Sequence, residues 1–462
     1  MSELPDNIDD LILLANAGDA AAQHELCNRY FFAHGTEKDD EKALYWCRKA
    51  AEQQYPDAMY ALGCFYELGQ IINENKEEAL RLFRKAAERG HEASQYSLGH
   101  AYYAGSGVER DAEQAVYWFR KAAEQDSPQA QFALGVCHEE GTGVPQDQTE
   151  ALKWFRLSAK SDYPKALFAL GMAYKNAQGV KKDTSEAAHW FHLAAQQGHV
   201  DAQYELGMCY YHGEGAPEDD VQAVLWFRKA AEQGSPGAQY QLGVAHRHGW
   251  GTTEDEEMAV LWFRRAAKAD FPPAQHNYAY ALANGFGIEK DAAEAVHWYK
   301  LAAIAGYAPS QCNLACHYMR GDGVRKDLRR AAKWFMAAAL QGDAVAQNNL
   351  GYALAHGRGV AVNHSLAVQC FRSAVNQGDK NAMLNLGEAI MRGEGEEQNL
   401  ESGAEWISIA AQYGLADAQF RYGELCREGL GVPHDEAQAR EWFARAAEQG
   451  HVDAKKALDD EV

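Results

Sequence analysis

Cys312 and Cys316 stand four residues apart, and His276 precedes Cys312 by one sequence period of 36. On a helix, residues i and i+4 share a face, and two thiolates with an imidazole form a zinc-binding set. The same cysteines also suit the role of small apolar fillers, the usual fate of buried free thiols, and no bound metal is expected. His246-Arg247-His248 places two imidazoles at i and i+2, which a helix aims apart. Signatures of catalysis are missing: the chain has no S-x-x-K, K-T-G, H-E-x-x-H or G-x-S-x-G and no phosphate loop ending in GK[ST]. No catalytic residue and no cofactor is expected, and a β-lactam-hydrolysing enzyme is a remote alternative without a nucleophile motif.

A different chemistry is written in asparagine. Asn277, Asn313, Asn349 and Asn385 recur every 36 residues, and Arg421 takes the next place. A primary amide both donates and accepts, so a ladder of amides could pair with the N–H and C=O groups of an extended peptide. Asn348, beside Asn349, replaces an aromatic found at that position in other copies and is expected to open space next to the rung. Bonding of these amides within the scaffold is the competing expectation.

Charge separates the regions further. The chain carries a formal net charge of −22, which argues against nucleic acid as a partner. Residues 1–234 hold 37 acidic and 22 basic side chains, and residues 379–462 hold 18 and 8. Between them, residues 271–378 hold only 6 acidic against 10 basic. The asparagine column therefore lies largely in a basic island, where Arg320 joins it on or beside the groove, with Arg392, Arg421 and Arg427 just beyond. An acidic segment or a terminal carboxylate suits such a place. Arg329, Arg330 and Lys333 open a second helix and are expected to face outward.

These residues must be positioned by a repeated element. Gly63, Gly99, Gly135, Gly171, Gly207 and Gly243 recur at 36; Ala279 and Ala315 keep the register, followed by Gly351, Gly387 and Gly423. Trp118, Trp154, Trp190, Trp226, Trp262, Trp298, Trp334, Trp406 and Trp442 follow the same period. Trp46 marks a copy before that of Gly63, so twelve copies result and repeat two is that of Gly63. In residues 127–141, Ala130, Leu134 and His138 mark one face of a first helix, helix A. A glycine-rich turn follows, then helix B with Ala151, Trp154 and Phe155 inward. Several copies of helix B stop at a glycine, such as Gly198, Gly234, Gly342 and Gly450, the usual left-handed cap.

The pattern A-x-x-x-L-G-x-x-Y, then G-x-G, then A-x-x-W-F and A-A-E-Q-G, as in residues 202–234, resembles the Sel1-like repeat, a relative of the tetratricopeptide repeat. That resemblance implies an all-α, right-handed α/α superhelical solenoid of about twelve 36-residue helix-turn-helix repeats, acting as a scaffold or adaptor. A capping helix is expected over residues 1–18, one continuous solenoid of twelve tandem repeats over 19–450, and a capping helix with an acidic tail over 451–462. A cysteine-rich branch linked to penicillin binding is not matched, because the position before the helix A alanine is not cysteine.

Counted from the signature glycine, helix A positions −5, −1 and +3 should face the core, and −3, +1 and +4, flanked by −2 and +5, the concave surface. The resemblance supports this, since the corresponding tetratricopeptide positions contact ligands. In repeats two to seven those positions carry Tyr60, Tyr96, Tyr103, Phe132, Phe168, Met172, Tyr204, Met208, Tyr211 and Tyr240, side chains that often anchor interfaces. Packing against the next repeat is the alternative for position −3. Trp250, alone off the tryptophan register, sits in the turn between two glycines and is a further contact candidate.

The expected function is a non-enzymatic protein–protein interaction scaffold holding a protein or an extended peptide in its groove. The alternative is a bacterial immunity-type protein whose acidic N-terminal half encloses a basic toxin. No apolar run reaches the length of a membrane span, the first residues lack the features of a signal peptide, and nine cysteines at irregular spacing suit a reducing cytoplasm.

Overall fold

Asp147 accepts the backbone N–H groups of Thr149 and Glu150 at 2.9 and 3.0 Å and so starts the helix Gln148–Ala159. Asp or Asn does the same at the front of every other helix B, which satisfies donors that have no partner inside the helix. Helix A ends on a left-handed residue, usually glycine, as at Gly141 with φ +76°. In repeats one and five Ala33 and Ala177 hold that conformation, at φ +59° and +58°.

The computed structural model describes residues 4–459. The first three residues of the expected N-terminal cap, and Asp460, Glu461 and Val462 of the expected acidic tail, lie outside the described residues. Among the described residues there are 26 helices and no strand, arranged as twelve tandem helix pairs in which each helix packs chiefly on its sequence neighbours, an α-solenoid. No helix among them is long and apolar enough to cross a membrane.

The chain divides into two units, Met1–Gln233 and Gly234–Val462. In the first, helix Ile8–Asn16 precedes six helix pairs, from Ala20–Phe32 to Asp220–Glu232. In the second, six pairs run from Pro236–His248 to Glu436–Glu448, followed by Val452–Asp459. The core positions of helix A are filled as expected: Ala130 and Leu134 in the first unit and Ala346, Leu350 and Leu354 in the second are buried.

Three devices join the helices. The signature glycine lets helix B press its phenylalanine on helix A, and a Cβ on Gly171 would lie 2.5 Å from the Phe191 ring. The second turn glycine seats the turn on the preceding repeat, and a Cβ on Gly359 would lie 2.1 Å from the Leu328 carbonyl oxygen. The third device is a glutamine relay. Gln95 donates to the Ala87 carbonyl at the end of the preceding helix B, at 3.1 Å, and Gln125 at the end of its own repeat donates to Gln95 Oε1 at 2.8 Å. Gln311 and Gln341 repeat this in the second unit at 3.1 and 2.9 Å. Each bond adds about 1 kcal/mol net, and removing one partner leaves a buried amide or carbonyl without its bond.

Candidate functional site on the helix A face

In the first unit, the aromatic residues at position −3 lie in the seam between repeats. Phe132 meets Phe155 of its own helix B at 5.5 Å and Tyr163, which begins the next repeat, at 5.7 Å. Phe168 meets Phe191 at 5.8 Å and stacks on His199 at 4.7 Å. Tyr96 lies against Phe119 and Tyr204 against Phe227. All four are half-buried. Each ring pair adds about 0.5–1.5 kcal/mol beyond its buried area, so this face has a structural duty whatever else it does. Tyr103 donates its hydroxyl proton to Glu140 at 2.8 Å. Met172, Met208 and Tyr211 are half-buried, Met208 in a cavity with Lys175 and Glu205, which pair across repeats five and six.

In the second unit the corresponding positions carry different chemistry. Tyr240 meets Phe263 at 5.9 Å and Phe271 at 5.6 Å. His276 lies between Tyr299 and Tyr307, and its Nδ1 hydrogen-bonds Ser310 Oγ at 3.0 Å. Burial, helped by the nearby Arg247 charge, drives its pKa down to about 4, so the ring is neutral. Cys312 takes the same place one repeat on, and then Asn348. Among the described residues no group of three His, Cys, Asp or Glu side chains is arranged to hold a metal ion. His246 is buried and His248 exposed, so that pair does not converge.

Asn348 corrects one expectation. Its side chain is only 9% exposed, and its Oδ1 accepts a 2.8 Å bond from Asn385 Nδ2. The space beside the rung is filled by the amide of the following repeat. The other rungs differ from one another. Asn313 donates to the Tyr299 hydroxyl at 3.2 Å, and Asn349 returns one amide proton to the Val345 carbonyl of its own helix at 2.9 Å. Asn277 borders a cavity of about 20 Å³ with Arg247, Glu256 and Tyr280, about enough room for one water.

The arginines separate as sharply. Glu388 holds both Arg392, at 2.7 Å, and Arg421, at 2.6 Å, and Arg421 also pairs with Glu424 at 3.0 Å. Arg320 is in no ion pair among the described residues. It borders a polar cavity of about 280 Å³ between repeats eight and nine, with Lys290, Asn313, Cys316, His317 and Asp322. Nor is Lys290 in an ion pair among the described residues. His317 Nδ1 donates to the Asp322 backbone carbonyl at 2.9 Å, which leaves its Nε2 as the free ring position. Tyr299, under Asn313, completes the wall. Arg329, Arg330 and Lys333 are exposed on helix B as expected.

Lys290, His317 and Tyr299 were not singled out from sequence. Their signal is a break in the repeat: Trp298-Tyr299 replaces the usual Trp-Phe, opposite Ala279 in place of glycine. Trp250 is 38% exposed, and its ring stacks on His248 at 4.6 Å.

Twelve consecutive segments covering residues 20–414 and 416–451 match the Sel1 repeat. The chain is similar to a solved protective antigen of uropathogenic Escherichia coli strains displaying an SLR fold. They share 34% identity and a TM-score of 0.72, over 99% of this chain and 91% of that one. It is also similar to a Sel1 repeat protein from Oxalobacter formigenes, with 32% identity and a TM-score of 0.52, over 68% of this chain and 94% of that one. No curated protein gives a significant match. With twelve matched segments spanning nearly its whole length, the chain belongs to the Sel1 repeat family.

Proposed function

We propose that the protein is a non-enzymatic, cytoplasmic interaction scaffold that grips an extended acidic segment of a partner protein on the helix A face of its second unit. Repeat solenoids of this kind generally mediate protein–protein interaction. The observation that carries the finer statement is the cavity of repeats eight and nine. There Lys290 and Arg320 share the wall with one carboxylate, Asp322, and neither is in an ion pair among the described residues, in a chain where acids outnumber bases by 66 to 44. Two cations facing a single carboxylate favour a further carboxylate from outside.

Each neighbouring group has a part in the grip. Arg320 offers a planar fork for a carboxylate, and Lys290 a mobile ammonium at the rim. Asn313 spends one amide proton on Tyr299 and keeps its oxygen for a backbone N–H. Asn349, one repeat further, keeps an oxygen and a second proton. Arg392 and Arg421 share Glu388 and bind an incoming carboxylate only by exchange, which supports Arg320 as the anchor. The aromatic seam of the first unit offers its half-open ring edges as a second contact surface.

Calorimetric titration of the full chain with acidic, neutral and basic decapeptides tests this. The acidic peptide is expected to bind with an affinity that falls as salt rises, and the other two are not. Equal heats for all three would reject it.

A further inference from the structure

Two pairs of cysteines are in contact, Cys27 with Cys47 and Cys312 with Cys316. The first is sealed in the core, at 1% and 0% exposure. The second opens on the cavity, because Cys316 forms part of its wall. Cys312, one turn earlier on the helix Ala308–Arg320, donates its S–H to the Cys316 sulfur from the buried side. Arg320 is one turn later, and Lys290 and His317 share the wall. Asp343, which caps the next helix A, is the opposing acid: its charge raises both thiols, and it is a second hydrogen-bond partner of Cys312. Tyr299 faces the same space as a neutral phenol, its ionisation suppressed by burial.

This arrangement favours a thiolate at one sulfur and a thiol at the other. The Cys312 hydrogen bond, aided by Arg320 and against the cost of burial, brings Cys316 down to about 7. Donating that bond and being buried push Cys312 well up. Cys64 and Cys370, also partly exposed, are both raised by burial, Cys64 despite a hydrogen bond with Tyr60 and Cys370 with no opposing cause.

We propose that Cys316 is a redox-reactive thiol in the wall of the binding cavity, with Cys312 as its resolving partner and hydroperoxides as the oxidant class. The Cys316 thiolate attacks the outer oxygen of the hydroperoxide. An S–O bond forms, the O–O bond breaks, and the alkoxide leaves and takes a proton from water. The Cys312 sulfur then attacks the Cys316 sulfenic acid. An S–S bond forms, the hydroxyl leaves with the Cys312 proton as water, and the two thiols have lost two electrons to the peroxide. Cβ atoms at i and i+4 of a helix are ~5–6 Å apart, whereas a disulfide needs ~3.5–4.5 Å. Oxidation must therefore distort the turn that carries Asn313 and leads to Arg320. This goes beyond the scaffold function and holds whether or not a peptide binds.

The test uses the full-length protein, since trypsin releases Leu301–Arg320 with both cysteines in one peptide. At pH 7, iodoacetamide should alkylate Cys316 about fivefold faster than Cys64 or Cys370, the thiolate gain being partly offset by lower intrinsic nucleophilicity. Arg320→Ala should slow it. Hydrogen peroxide should remove two hydrogens from the 301–320 peptide, and Cys312→Ser should instead stop at a sulfenic acid that a cyclic 1,3-dione traps. Equal alkylation of all three thiols, or a 301–320 peptide left reduced by peroxide, would overturn the proposal. Neither result depends on the peptide titration.

Discussion

Asn385 donates its amide proton to Asn348 across 2.8 Å, joining the helix A of repeat eleven to that of repeat ten. An amide pair thus does at this seam what Phe168 and His199 do with stacked rings earlier in the chain. The change from rings to amides keeps the joint closed while making it polar.

The first expectation follows from that bond. Asn385→Ala leaves the buried Asn348 oxygen without its partner and should cost about 1–3 kcal/mol. Asn349→Ala removes only a bond back to its own helix and installs a better helix former, so stability should hold or rise by about 0.5 kcal/mol. Urea unfolding of both variants, with the Asn348→Ala/Asn385→Ala double variant, measures the difference. A coupling of about 1 kcal/mol is expected for 348 with 385.

Glycine at position zero should be intolerant. In Gly171→Ala the new methyl meets the Phe191 ring at 2.5 Å, and the overpacking should cost about 1–3 kcal/mol despite the gain in helix propensity. Phe191→Leu in the same chain should recover part of that loss. Thermal melts of the single and double variants give the comparison.

The seam should also sense acid. The folded state keeps His276 neutral, its pKa lowered by burial and by Arg247 from 6.5 to about 4. Its contribution is therefore full above pH 6.5 and falls away as pH drops through that window, by about 2 kcal/mol at pH 5. His24 and His199, lowered chiefly by burial, act in the same direction. His276→Tyr, which copies Tyr240 of the preceding repeat, should flatten the fall of melting temperature between pH 7 and 5.

Much of this was legible from period alone. Gly63 to Gly423 marked the register of helix A, and the alanine and leucine positions of helix A marked the core, because each recurs against the same neighbour. The face was legible less completely. Periodicity assigns a side chain to a side of its helix, and it is silent on whether the next repeat takes up that side chain first. Asn348 and Arg421 illustrate this: their partners, Asn385 and Glu388, lie 37 and 33 residues away, off the 36-residue period. Lys290 escaped notice because it lies in a turn, and Tyr299 because a single hydroxyl distinguishes it from the phenylalanine of other repeats.

The central claim rests on Lys290 and Arg320. Its most direct test is fluorescence anisotropy of a dye-labelled acidic decapeptide with a free C-terminal carboxylate, titrated with wild type and with Lys290→Ala/Arg320→Ala. Both substitutions lie at exposed positions, so helix content and melting should be unchanged. The double variant is expected to bind at least about tenfold more weakly, a loss of about 1.4 kcal/mol, and with a shallower dependence on salt. Unchanged affinity and an unchanged salt slope in the folded variant would contradict the claim.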